Sequence, residues 1–227
     1  MENGKAGEVL VGNTNSYLYK IETVLSLKDK EILEVGCGEG TRTFELERRC
    51  RLLMAVDSDA RQIKYLRNSK GYRRANYLSA AVMRAEKLEL PDNLFDIVIY
   101  TLSFHHIRRE LMPVAIDEAR RVLRPDGHVI FLEPGFEGSC FEAERLFDCS
   151  DGDEIEVKQE ARKAMREHPG LTLVAELFEW QFFKVPLDYS FFAVQPQKNL
   201  DLVPDFLCRN NYRLTAKREI HIFKAKR

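Results

Sequence analysis

The stretch Ile32–Gly40, ILEVGCGEG, decides the fold. It reads as a buried strand that runs straight into three closely spaced glycines. Such a loop lets the main chain approach a ligand that a side chain would block. Strand-to-glycine turns serve several kinds of nucleoside ligand, so the surrounding chain has to choose among them.

Outward from the loop, short apolar runs alternate with helical periodicity. EILEV (Glu31–Val35) is a first strand, and TRTFELERR after Gly40 is a helix. LLMAVD (Leu52–Asp57) is a second strand, followed by a helix over Asp59–Asn68 with Ile63 and Leu66 inward. A weaker third strand lies within Asn76–Met83. FDIVIYT (Phe95–Thr101) is a nearly all-apolar fourth, Glu110–Leu123 a helix closed by the turn signal Pro125-Asp126-Gly127, and GHVIFLE (Gly127–Glu133) a fifth strand. Before the loop, Tyr17, Ile21, Val24 and Leu25 predict a helix over about 14–27. Strands alternating with helices imply a parallel sheet covered on both faces. Right-handed crossovers make it doubly wound, with ligands at the carboxyl ends of the strands. Past Glu133 the pattern loosens. Helices are expected over Ser139–Phe147 and Glu154–Glu167, extended chain through LTLVAELFEWQFF, a short helix near Leu200–Arg209 and a terminal strand at Glu219–Ala225.

The bulk properties narrow the function. The chain has 227 residues, 44% apolar and 31% charged, which suits one α/β domain with ample core. Its net charge of −1 gives no overall pull toward nucleic acid or an anionic membrane. The basic run from Arg61 to Arg74 reads as a solvated helix face. Five cysteines without a CxxC pair or a supporting histidine cluster suggest reduced thiols and no metal site. The N-terminal stretch lacks the apolar core of a signal peptide, and no run is long enough to span a bilayer. A cytoplasmic protein is expected.

The ligand follows from spacing. In a dinucleotide-binding G-x-G-x-x-G loop the third glycine would stand at position 41, but that residue is Thr41; the glycine comes one earlier, at Gly40. This register disfavours a nicotinamide oxidoreductase. No GK[ST] follows, which excludes a P-loop. Asp57 ends the second strand, 21 residues after Gly36. A carboxylate there can accept from both hydroxyls of an unphosphorylated ribose, although it could also be a helix cap.

Four pieces then stand in order from Ile32 to Pro134: LEVGCGEG, AVDSD, AEKLELPDNLFDIVI and EARRVLRPDGHVIFLEP. Together they resemble the class I S-adenosylmethionine-dependent methyltransferases, of the small, methyltransferase type 11 kind. The resemblance implies a Rossmann-like, seven-stranded, mostly parallel sheet with an antiparallel C-terminal strand. It implies one domain over 1–227, with the N-terminal helix and segment 138–210 as substrate cap. It implies S-adenosyl-L-methionine as cofactor, with Gly36, Cys37, Gly38 and Gly40 along the methionine moiety and Glu34 as the acidic position of the same motif. Asp57 would hold the ribose, Ser58, Ala85 and Glu86 the adenine, and Thr101 and Leu102 would lie near the sulfonium. Many relatives carry Asp before the alanine, accepting from the adenine amino group; here stands Arg84, a pure donor. Glu86 or a backbone carbonyl would have to take that bond.

The sulfonium of that cofactor is already activated, so positioning is the main task and a general base is needed only if the acceptor must lose a proton early. His105, beside His106, is the first choice for that base, with Tyr189 as a second candidate from the cap. No Asn/Asp-Pro-Pro-Tyr/Phe motif follows the fourth strand, which lowers the odds of DNA adenine or glutamine methylation. A small-molecule acceptor is expected and nucleic acid disfavoured; RNA or protein acceptors, or a cofactor-binding module without transfer, are the alternatives. Seven aromatics crowd into Phe178–Phe192. On a strand, Phe178, Trp180 and Phe182 would share one face and Glu179 and Gln181 the other. The aromatic face is expected to be core or a homodimer contact, or else an apolar wall over the methyl donor.

Overall fold

The computed structural model of the protein describes residues 11–12, 16–149, 154–184 and 195–226. The strands are β1 (Val11–Gly12), β2 (Glu31–Val35), β3 (Leu52–Asp57), β4 (Leu78–Val82), β5 (Phe95–Thr101), β6 (Leu123–Pro134), β7 (Leu171–Lys184) and β8 (Arg213–Ala225). They form one sheet in the order β1-β7-β8-β6-β5-β2-β3-β4. Strands β2 to β6 pair in parallel, with Val35 opposite both Val56 and Tyr100. Apart from the two-residue β1, this is the expected seven-stranded mixed sheet, with the antiparallel last strand β8 inserted beside β6. The order reverses at β2, flanked by β3 on one side and β5 on the other. A crevice therefore opens at the carboxyl ends of β2, β3 and β5.

The helices are α1 (Ser16–Glu22), α2 (Thr43–Glu47), α3 (Ala60–Asn68), α4 (Lys70–Arg74), α5 (Met112–Val122), α6 (Ser139–Phe147), α7 (Ile155–Glu167) and α8 (Val203–Arg209). The chain divides into two compact units. The larger holds residues 15–133, 156–178 and 219–227. Its apolar strands are covered on both faces. Tyr17, Leu18 and Ile21 of α1 pack with Ile32, Leu53 and Ile99 on one side. Ala115, Ile116 and Ala119 of α5, with Ala161 and Met165 of α7, pack with Leu33, Val98 and Phe131 on the other. The smaller unit takes residues 1–14, 134–155 and 179–218. There α6 and α8 bury Ala143, Phe147, Phe206 and Leu207 around Leu214, with the Phe147 and Phe206 rings 5.1 Å apart, edge to face. The expected cap segment is thus shared: α6 and α8 lie in the smaller unit, α7 in the larger.

Several local expectations need correction. Pro125-Asp126-Gly127 does not end a helix before a fresh strand. It bulges out of β6, where Phe95 pairs with Leu123 but Ile97 with His128, and Asp126 takes φ +65°. The last strand starts at Arg213 rather than Glu219. Along β7 the alternation is as expected, but its burial is inverted. Glu179 and Gln181 are buried, whereas Phe178, Trp180 and Phe182 are 55%, 38% and 46% exposed. The polar face is sustained by hydrogen bonds: Gln181 Nε2 donates to Glu179 (3.1 Å), and Arg218 Nε donates to Gln181 Oε1 (2.9 Å). The aromatic triplet is therefore not core. No helix of the described residues is long and apolar enough to cross a membrane.

Candidate functional site

The glycine loop is built by backbone bonding across the strand ends. Gly36 N–H donates to Val56 O (2.7 Å) and Gly40 N–H to Cys37 O (3.0 Å). Gly36 takes φ +77°, and a Cβ there would lie 2.3 Å from Ser103 Cβ, so no side chain fits. Gly38 differs. It takes φ +53°, yet a Cβ would meet nothing within 4 Å. Its backbone is bare toward open space, which is what close approach of a ligand needs.

Asp57 braces this loop. Its Oδ2 accepts from Gly38 N–H (2.8 Å) and its Oδ1 from Asp59 N–H (2.9 Å). The cap of α3 is Asp59, whose carboxylate accepts from Arg61 N–H, so Asp57 is not a helix cap. A carboxylate offers about four lone-pair sites, and two internal bonds leave capacity for two more donors.

Beneath the loop, Glu34 is fully buried. Its two oxygens accept from the Thr43 hydroxyl (2.7 Å) and the Thr101 hydroxyl (2.8 Å). Burial pushes its carboxyl above the ordinary range, against the lowering pull of those two bonds. Burial likewise pushes the Cys37 thiol well up, so it is a neutral filler rather than a thiolate.

At the end of β5 the chain turns sharply. Leu102 takes φ +59°, unusual for a bulky residue. Ser103 follows, and its hydroxyl donates to Val35 O at 2.6 Å. Next comes a 3₁₀ turn, Phe104–His106. His105 is buried and its Nδ1 meets the Glu133 carboxylate, whose other oxygen accepts from Phe104 N–H (3.2 Å). The His106 ring lies 4.0 Å from that of His105 and is exposed.

These elements surround a cavity of about 660 Å³. Its lining includes Gly36, Cys37, Gly38, Asp57, Ser58, Ala85, Glu86, Thr101 and Leu102, all anticipated from the sequence. Glu34 and Gly40 stand behind the lining: Glu34 holds the floor through Thr101, and a Cβ on Gly40 would strike Leu66. His105 is also behind the wall; the imidazole on the cavity is that of His106. Tyr189 lies outside the described residues. Ser103, Arg42, Gln62, Ile107, Arg108 and Leu111 join the lining without having been singled out. Arg84 is tied by Nε to Glu86 Oε1 at 2.5 Å. Burial works to raise the Glu86 carboxyl, but its backbone amide and Arg84 outweigh it and hold it below the ordinary range. Glu86 is thus an ionised acceptor at the cavity wall.

The residues fit S-adenosylmethionine on chemical grounds. Its ribose diol needs a carboxylate with spare lone pairs, which Asp57 supplies. Its zwitterionic amino acid needs both a cation and an acceptor, and the wall carries Arg42 and Ser103. The volume falls within the usual range of about 300–1,000 Å³ for small-molecule sites.

Residues 33–131 match the family model described as "Methyltransferase domain". Over that stretch, which is under half of the chain, the protein is similar to methyltransferase domains. An uncharacterized methyltransferase of Schizosaccharomyces pombe is 33% identical over 106 residues, which make up 44% of this chain and 38% of that protein. An uncharacterized methyltransferase of Mycobacterium tuberculosis is 26% identical over 156 residues, 67% of this chain and 77% of that one. The aligned part therefore spans well under half of the yeast relative and about three quarters of the mycobacterial one. Among solved structures, a SAM-dependent methyltransferase from Aquifex aeolicus superposes with TM-score 0.57 at 14% identity, covering 88% of both chains. The N-methyltransferase NodS of Bradyrhizobium japonicum, solved with S-adenosyl-L-homocysteine, superposes with TM-score 0.57 at 17% identity, covering 93% of this chain and 86% of that one. At such identities these two likenesses speak to the fold alone.

Proposed function

We propose that the protein transfers a methyl group from S-adenosylmethionine to a small-molecule acceptor by in-line displacement. The observation that carries this is the cavity at the ends of β2, β3 and β5, with Asp57 bracing a Gly38 backbone that is open to it. Bound there, the cofactor supplies an activated, positively charged sulfonium methyl. The protein's own part is to bind, orient and exclude water. Asp57 takes the ribose hydroxyls. Ser58, Ala85 and Glu86 flank the adenine, with Glu86 as the acceptor for its amino group in place of the missing aspartate. Gly36, Cys37 and Gly38 line the amino-acid end, and Thr101 and Leu102 lie by the reacting carbon. Glu34 fixes that wall from below.

The acceptor meets a mixed surface. Leu102, Ile107 and Leu111 are apolar, and His106 and Arg108 are polar. This suits a partly apolar molecule bearing a polar group. Where the acceptor must lose a proton, His106 is the imidazole at hand, and His105, anchored on Glu133, orients it. The test has two stages. Calorimetry with S-adenosylhomocysteine and with NADH should show binding of the first alone. Radiolabelled methyl from S-adenosylmethionine should then enter a low-molecular-mass metabolite extract, and not purified RNA or protein. Binding without transfer to any fraction would favour a non-catalytic module, and label in RNA or protein would overturn the small-molecule reading.

A further inference from the structure

The chain that follows β5 forms one wall of the cavity and carries charge of one sign. From Leu102 to Arg109 it reads LSFHHIRR, with two arginines, two histidines and no acid. The two arginines differ in their surroundings. Arg109 turns its Nε to Glu160 Oε2 at 3.1 Å, and neither residue is on the lining. Arg108 is on the lining and partly buried, and no carboxylate of the described residues lies within ion-pair distance of it. The acids of the wall are engaged elsewhere. Glu86 is tied to Arg84 (2.5 Å), Asp59 to Arg61 (2.7 Å), and Asp57 to the backbone N–H groups of Gly38 and Asp59. Glu39 is exposed on the glycine loop. The charge of Arg108 still reaches the wall: burial raises the Glu86 carboxyl, its own amide and Arg84 lower it, and Arg108 adds to that lowering.

A ligand that covers a partly buried guanidinium strips it of water, and the loss is made good only if the ligand brings the opposite charge. A guanidinium offers a rigid fork of donors and no acceptor, which matches two oxygens of an oxyanion at once. Its neighbours on the lining, Ile107 and Leu111, are apolar. The wall thus suits a molecule with an apolar part and a negatively charged end. We infer that Arg108 selects an acceptor bearing an oxyanion, a carboxylate or a phosphate monoester, and holds it by that group while Ile107 and Leu111 cover its apolar part. This rests on the methyl-transfer reading above and names the chemical class of the acceptor.

The test splits a metabolite extract on an anion exchanger at mildly alkaline pH before any reaction. Each fraction is then given, with radiolabelled S-adenosylmethionine, to the natural protein. Methyl transfer should appear with the retained, anionic fraction. Treating that fraction beforehand with alkaline phosphatase should abolish transfer if the group is a phosphate, and carbodiimide-driven amidation should abolish it if the group is a carboxylate. Transfer that survives both treatments, or that is confined to the unretained fraction, overturns the inference without any variant, so a variant that fails to fold does not shelter it. In Arg108→Gln the amount of the anionic fraction giving half the maximal rate should rise about tenfold or more, the size expected when a hydrogen bond to a charged group is lost; Arg108→Lys, which keeps the charge, should lie between. An unchanged half-saturation in Arg108→Gln overturns the inference. Calorimetry on the same variant should show affinity for S-adenosylhomocysteine altered less than twofold. A tenfold loss there also overturns it, because the anion held would be the cofactor's own carboxylate. Label from neither fraction, with S-adenosylhomocysteine still bound, brings down small-molecule transfer itself and the inference with it, which sets that failure apart from the others.

Discussion

Replacing Gly36 by alanine tests whether the loop is glycine because of a ligand or because of Ser103. Two costs are built into the position. An L-residue held at φ +77° is penalised by about 1–2 kcal/mol. The new Cβ would also lie 2.3 Å from Ser103 Cβ and 2.6 Å from its Oγ. Ser103 Cβ cannot swing aside as the tip of a long side chain can, so the main chain must move and the bond to Val35 O must break. Overpacking and a lost hydrogen bond together come to about 1–3 kcal/mol. The sum is roughly 2–5 kcal/mol, or a fall in Tm of about 5–15 °C for a chain of this size. The decisive measurement is a double-mutant cycle by urea unfolding, with Ser103→Gly as partner. In the Ser103→Gly background the nearest remaining Ser103 atom, its Cα, lies at an ordinary 3.7 Å, so Gly36→Ala should cost only the backbone share of about 1–2 kcal/mol. The same cost in both backgrounds would refute the steric account and leave backbone strain alone to explain the glycine.

Three further outcomes are expected. Asp57→Ala should weaken S-adenosylhomocysteine binding by roughly 2–4 kcal/mol, since bonds to two hydroxyls and the brace on Gly38 are lost together; an unchanged Kd in calorimetry would reduce Asp57 to a loop brace. His105→Ala should destabilise by roughly 3–5 kcal/mol because Glu133 stays buried without its imidazole, whereas His106→Ala should stay within about 1 kcal/mol and keep cofactor affinity while lowering transfer into a metabolite extract. The reverse ranking in unfolding experiments would show that the wrong imidazole has been placed at the wall. Glu34 has a folded pKa raised above its ordinary 4.5 by burial, so the folded state holds the proton more tightly. That contribution is fully present below the unfolded pKa and is lost as pH rises through the folded one. Stability of the natural protein relative to Glu34→Gln should therefore fall as pH climbs from 4.5 toward neutrality, and a flat difference would contradict the raised value.

The glycine-loop wall of the cavity is legible in the sequence because backbone constraints write it. A loop in which Gly36 and Gly38 sit at positive φ leaves few residue types open, and the carboxylate at the end of β3 stands where that loop turns back on it. Periodicity finds β2, β3 and β5 for the same reason, since strands buried on both faces admit little but apolar side chains. The misses occur where contacts distant in sequence decide. The inverted face of β7 depends on the hydrogen bonds among Glu179, Gln181 and Arg218, which no local pattern announces. Choosing His105 over His106 turns on Glu133, 28 residues away.

Ser103 shows why a single polar position at the cavity resists reading. Nothing in TLSFHH distinguishes a serine that fills the hollow above Gly36 from one that merely ends a strand. The distinction lies in where its proton goes, and that is set by Val35 O, 68 positions earlier in the chain. A donor already spent turns an ambivalent hydroxyl into an acceptor, so its chemistry is a property of the packed pair β2–β5 and not of the residue. The same logic governs Arg84. Read alone, it puts a pure donor where relatives carry an acceptor; paired with Glu86, it holds an ionised carboxylate at the wall two residues on. If Glu86 replaces the lost aspartate, Glu86→Gln should cost more affinity for S-adenosylhomocysteine than for its inosine counterpart, whose base has an oxygen where the amino group was. Equal losses for the two would mean that the adenine amino group is read by the backbone, and that the arginine is a surface substitution without bearing on the base.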